Sequence, residues 1–191
     1  LDDARQLFRA VLKRDPDHAD AQHLLGLTAY HGGAWREAVK WINKAIAAQP
    51  DNPAYHSSLG LAFKAQGLLD EAATALRRAL ELYPDFADAH FNLGTVLNQD
   101  GKPGDAIRHF EIALRAMPED AVTHFHLGNC YQGTGAARPA ATHYRRAIAL
   151  RPDFADAHYC LAGLSREVVG LDAALRHLRA AVAAAPDDAL I

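Results

Sequence analysis

The sequence has little of what usually announces chemistry. Only two of its 191 residues are cysteine, Cys130 and Cys160; they make neither a disulfide framework nor a Cys-x-x-Cys motif, so both read as reduced thiols. No apolar run approaches the roughly 20 residues of a membrane-spanning helix, and no charged-then-apolar leader precedes a cleavage site. The expectation is a soluble, cytoplasmic protein with no membrane partner. Neither sign of charge dominates: 20 basic and 23 acidic residues are interspersed to a net −3, which lacks the field that draws nucleic acid. No Gly-x-Ser-x-Gly turn, phosphate loop or dinucleotide fingerprint occurs, so this stretch is expected not to be an enzyme and to carry no cofactor.

What the sequence does have is a period. Pro-Asp or Pro-Glu pairs begin at Pro16, Pro50, Pro84, Pro118, Pro152 and Pro186, 34 residues apart each time. Five full units follow at 19–52, 53–86, 87–120, 121–154 and 155–188. Residues 1–18 match only the second half of a unit and 189–191 begin another, so the chain, which has no initiator methionine, is expected to be a piece of a longer array. In each unit a first helix of about fourteen residues leads to a turn at Gly33, Gly67, Gly101 or Gly135, shifted to Gly170 in the fifth,. A second helix then runs to the next Pro-Asp, with Pro103 and Pro139 near the starts of two of them, where proline costs no hydrogen bond. Arginine outnumbers lysine fifteen to five, a bias that, with abundant alanine, suggests a bacterial genome rich in G and C.

Numbering positions from the start of each unit, position 8 is Gly26, Gly60, Gly94, Gly128 and then Ala162. Glycine inside a helix costs about 1 kcal/mol relative to alanine, so close packing is expected to offset it. Alanine fills position 20 (Ala38, Ala72, Ala106, Ala140, Ala174) and position 27 (Ala45, Ala79, Ala113, Ala147, Ala181), leucine fills position 7, and position 24 is large: Ile42, Leu76, Phe110, Tyr144 and Leu178. The large column is expected to pack into the notch left by the small ones. These columns resemble the tetratricopeptide repeat, which implies an all-α fold, a right-handed superhelical solenoid of helix-turn-helix repeats across the whole chain. The chain departs from that pattern at position 4, where the favoured aromatic is replaced by Gln22, His56, His90, His124 and His158, and at Ala162, which points to a looser fifth repeat. The wording Asp-Ala-His-Phe-Asn-Leu-Gly is also similar to repeats that precede the catalytic region of O-linked N-acetylglucosamine transferases and of bacterial flagellin glycosyltransferases.

Eleven histidines invite a metal hypothesis, but seven of them fall in two repeat columns. Position 4 reads as partly buried structural histidine, and position 23, His109, His143 and His177, as a solvated outer face. No His-x-x-x-His pair shares a helical face, so no metal is expected. The aspartates near the prolines, such as Asp85 with Asp88 and Asp153 with Asp156, read as helix starters that can accept from free backbone N–H groups.

The resemblance implies that the first helices line a concave groove, and the columns facing it vary. Three aromatics, Phe91, Phe125 and Tyr159, are expected to be exposed there beside Asn92, Thr95, Asn98, His126, Asn129, Gln132 and Arg166. Exposed apolar rings next to amides suit a partner rather than bare solvent. Position 5 has no lysine, which disfavours the carboxylate clamp that grips chaperone tails. The leading expectation is a protein-interaction module that captures a flexible peptide or tail. The alternatives are a substrate-recruiting region of a larger glycosyltransferase, as the second resemblance implies, and a scaffold that self-associates end to end.

Overall fold

The structure is a computed structural model that describes residues 2–164, 168 and 170–185. The described residues form eleven helices and no strand: α1 (Asp2–Arg14), α2 (Ala19–His31), α3 (Trp35–Ala48), α4 (Pro53–Ala65), α5 (Leu69–Leu82), α6 (Ala87–Gln99), α7 (Pro103–Ala116), α8 (Ala121–Gly133), α9 (Ala137–Leu150), α10 (Ala155–Gly163) and α11 (Leu171–Ala184). They divide into two compact units, Leu1–Asp100 and Gly101–Ile191. In the first, α2 packs on α3 and α4 on α5 as hairpins, while α3 meets α4 and α5 meets α6. In the second, α8 pairs with α9 and α10 with α11, while α7 meets α8 and α9 meets α10. Within each unit these contacts join near neighbours in sequence, the pattern of stacked helical repeats,.

The hairpin turn depends on glycine at one residue. Gly33, Gly67, Gly101, Gly135 and Gly170 all have φ between 73° and 79°, a left-handed conformation that other residues adopt only with strain. Beyond it the backbone reaches back five residues, as in Leu68 N–H to the Phe63 carbonyl at 3.1 Å and Ala136 N–H to that of Tyr131 at 2.8 Å. That bond satisfies a carbonyl the helix end would leave open. The first helices are thirteen residues long, not fourteen, and α10 is only nine.

Helix starts differ from the aspartate expectation. The capping residue is the one just before each first helix: Asn52 Oδ1 accepts from Ala54 N at 3.0 Å, Asp120 Oδ2 from Thr123 N at 2.8 Å, and His18 Nδ1 from Ala21 N at 3.3 Å. In α6 and α10 that residue is Phe86 or Phe154, which caps with no side-chain bond. Asp88 and Asp156 stand in the first turn, where they act through charge on the helix dipole rather than as caps.

The core follows the small-residue columns. Ala38, Ala72, Ala106 and Ala140 are buried, as are Ile42, Leu76, Phe110 and Tyr144. A Cβ added at Gly26 would come within 2.6 Å of Ile42 Cγ1, at Gly60 within 2.6 Å of Leu76 Cγ, and at Gly128 within 2.6 Å of Tyr144 Cε1. Real Cβ atoms do not approach that closely, so the packing offsets the cost of helical glycine. The fifth repeat departs: with Ala162 at position 8, Leu178 stays 37% exposed and Ala174 is only half-buried. Leu171, Leu175 and Val182 are exposed on the same helix.

Candidate functional site

In the first unit the first helices α2, α4 and α6 lie in sequence, α4 touching both of the others, and side chains stitch their common face together. His23 Nε2 meets Ser58 Oγ at 2.8 Å, and the Tyr55 hydroxyl donates to Asp20 Oδ1 at 2.5 Å. Lys64 Nζ donates to Thr95 Oγ1 at 3.1 Å, and that hydroxyl donates on to the Asn92 carbonyl at 2.7 Å. Burial, with Asp20 as acceptor, pushes the Tyr55 hydroxyl up to about 12. Burial also lowers the Lys64 ammonium and the His23 imidazole from their ordinary values. Thr95 is thus buried within the wall instead of presented by it. Phe91, Asn92 and Asn98 are half-buried on the same element, and Leu24, exposed, stands with half-buried Leu27 and Leu61 on the neighbouring helices. The face alternates apolar side chains with amides that can each donate and accept.

In the second unit the sequence expectation needs correcting. Phe125 is not exposed: its ring packs at 4.8 Å from Phe154 and 6.0 Å from Tyr144, so it joins two helix layers. His126 stacks on Phe110 at 5.7 Å with the rings 8° apart. Of the three aromatics only Tyr159 is exposed, at 50%. The amides are engaged as well. The Tyr144 hydroxyl lies 2.7 Å from Asn129 Oδ1 and 2.6 Å from Gln132 Oε1, and having one proton it can donate to only one of them at a time. Burial and the neighbouring Cys160 thiol raise the Tyr144 hydroxyl strongly. Asn129 and Gln132 therefore hold the notch residue of their own repeat. Arg166 lies outside the described residues.

The histidine columns form one device. Position 4 is structural, as expected: the ring Nε2 of His56, His90, His124 and His158 sits 2.7, 2.8, 3.2 and 2.9 Å from the carbonyl of the proline six residues earlier, and Gln22 Nε2 replaces it at 2.7 Å from Pro16 O. The position 23 histidines are not a solvated face. His143 Nδ1 meets His124 Nδ1 at 3.1 Å, and His177 Nδ1 meets His158 Nδ1 at 3.0 Å. Tyr131 stacks on His143 at 5.5 Å, its hydroxyl donating to Glu111 Oε1 at 3.1 Å. Burial first, and then the facing imidazole, lowers the pKa of both His143 and His177. Sequence could have given this pairing, because His90/His109, His124/His143 and His158/His177 recur with a spacing of nineteen. The bonds from His23 to Ser58 and from Lys64 to Thr95 join unlike columns of adjacent repeats and leave no such signature.

Among the described residues no group of three or more His, Cys, Asp or Glu is placed to hold a metal ion, and no helix is long and apolar enough to cross a membrane. Cys130 and Cys160 are free thiols, and burial pushes Cys130 up to about 11.

The sequence matches the tetratricopeptide repeat family over residues 1–53 and 58–121. No curated protein matches it. Among solved structures, the fold is similar to YrrB, described as a tetratricopeptide repeat protein with an unusual peptide-binding site, at 20% identity over 96% of this chain and 94% of that one, with a TM-score of 0.79. It is similar also to MamA of Desulfovibrio magneticus, at 20% identity over 97% of each chain and a TM-score of 0.78. PilF of Pseudomonas aeruginosa gives 23% identity over 94% of this chain and 82% of that one, with a TM-score of 0.83.

Proposed function

Because the chain belongs to the tetratricopeptide repeat family, we propose that it is a protein-interaction module whose first-helix faces hold an extended segment of another protein. The observation that carries this reading is the stitched face of α2, α4 and α6, where His23–Ser58 and Lys64–Thr95 fix adjacent helices while Leu24, Leu61, Asn92 and Asn98 still reach the surface. A face held rigid before binding saves the ordering cost that otherwise weakens association. Three helices at about 9 Å spacing give a floor of about 18 Å, enough for about five residues of extended chain at about 3.3 Å each. Backbone groups of such a segment can pair with the amides, and its apolar side chains can rest on the leucines. In the second unit Tyr159 is the exposed ring suited to the same task. A protein resembling this one in fold is described as binding peptide, which is consistent with the proposal. Recruitment for a glycosyltransferase rests on the wording of the repeats alone.

The test is selection of peptides on the intact chain, followed by affinity measurements on variants. Leu61→Ala, Asn92→Ala and Tyr159→Ala should each weaken capture by about 1–2 kcal/mol, the range usual for interface truncations, with unchanged circular dichroism. Arg77→Ala, on an exposed second-helix surface, should leave it intact. Loss of binding in Arg77→Ala with all three first-helix variants normal would move the site elsewhere.

A further inference from the structure

Position 23 carries a ring in four of the five repeats: Trp41, His109, His143 and His177. In the second repeat it is Ala75. Over Ala75 opens a cleft of about 450 Å³, walled by His56, Leu59 and Phe63 of α4 and by Asp70, Glu71, Thr74 and Arg78 of α5. Glu71 and Arg78 stand one turn back from residue 75 and three residues on, the positions that share its helical face. A ring at residue 75 would enter this cleft.

We propose that this cleft is a docking slot for the imidazole of a histidine carried by a partner protein. The fourth and fifth repeats show how such a ring is held. There the position 4 histidine is fixed by its Nε2–H on a proline carbonyl, which leaves Nδ1 as an acceptor, and the position 23 imidazole meets that nitrogen at 3.1 or 3.0 Å,. His56 has the same anchor, Nε2 at 2.7 Å from Pro50 O, which leaves its Nδ1 an acceptor on a residue that lines the cleft,. The stacking wall is repeated too: Phe63 stands at the position of Tyr131, whose ring lies parallel to His143. The neutral ring has one N–H, which the His56 nitrogen takes, and its other nitrogen is left to solvent at the exposed rim of Glu71 and Thr74,. Arg78, also on the rim, is paired with Glu81 at 3.0 Å and Asp51 at 3.5 Å. A phenyl ring would fill the space but leave the His56 nitrogen unpaired. The slot lies between the two helices of one repeat and is independent of the first-helix face, so either reading stands if the other fails.

The experiment is titration of the intact chain with N-acetylhistidine methylamide, at a pH where the ring is neutral, followed by nuclear magnetic resonance. Saturable shifts at His56, Phe63 and Ala75 are expected. Ala75→His places the chain's own ring in the slot, so it should raise the thermal midpoint and abolish the titration; His56→Phe, which keeps a ring but removes the acceptor, should abolish it as well. The proposal is overturned by shifts that do not saturate, by equal binding in the Ala75→His chain, or by equal binding of N-acetylphenylalanine methylamide, which would make the cleft an unspecific apolar slot.

Discussion

Substituting Gly128 by alanine sets two opposed effects against each other at one atom. The added methyl improves helix propensity by about 1 kcal/mol. It would also stand 2.6, 2.7 and 3.1 Å from Cε1, Cδ1 and Cζ of Tyr144, and overpacking of this kind costs about 1–3 kcal/mol. The ring cannot easily swing away, because its hydroxyl is held at 2.7 and 2.6 Å by Asn129 and Gln132. The net expectation is neutral to about 2 kcal/mol destabilising, which alone would decide little. The sign in a second background decides it. With Tyr144→Ala the clash is gone, and Gly128→Ala should then stabilise by about 1 kcal/mol, giving a coupling of about 1–3 kcal/mol between the two sites. Urea titration by circular dichroism on the four chains measures the cycle, and the same cycle at Gly60 and Leu76 repeats it in the first unit. If Gly128→Ala stabilises equally in both backgrounds, the notch is not what glycine serves there. The fifth repeat illustrates the outcome, since Ala162 fills position 8 and its partner Leu178 is left 37% exposed.

The alanine columns should behave alike: Ala106→Leu and Ala113→Leu, at 0% and 1% exposure, should each cost about 1–3 kcal/mol in urea titrations, and Ala87→Leu, half-buried at the start of α6, much less. Acid should weaken the second unit, because His143 and His177 are lowered from the ordinary 6.5 by burial and by His124 and His158. The unfolded chain then binds more protons once the pH falls below 6.5, so stability is intact above that value and lost on further acidification; His143→Phe with His177→Phe should flatten the thermal-midpoint profile, and an unchanged profile would exclude the pairs as its cause. Amide exchange should be fastest in α11, where Leu171, Leu175, Leu178 and Val182 stay exposed, and in the short α10 that packs on it; protection there equal to that of α4 and α5 would contradict the packing. The same apolar strip should drive concentration-dependent association in sedimentation, and a monomer at every concentration would remove the end-to-end reading.

The sequence by itself determined the repeat, because an unbroken 34-residue period can satisfy its apolar columns only by stacking identical hairpins. It determined the turns, since Gly33, Gly67, Gly101 and Gly135 recur where the chain needs a left-handed residue, and the seam, since small and large columns complement each other layer by layer. Tertiary structure alone decided which polar and aromatic side chains are available to a partner. Periodicity assigns a side chain to a helical face, but exposure depends on what the adjacent helix brings to that face. Phe125 shares its column with Tyr159, yet Phe154 covers one and nothing among the described residues buries the other to the same degree. Asn129 and Gln132 lie on the expected face but are claimed by a hydroxyl from α9. His143, on an outer column, is drawn inward because a ring nineteen residues earlier offers its nitrogen a partner, and burying a polar group is favourable only where such a partner waits.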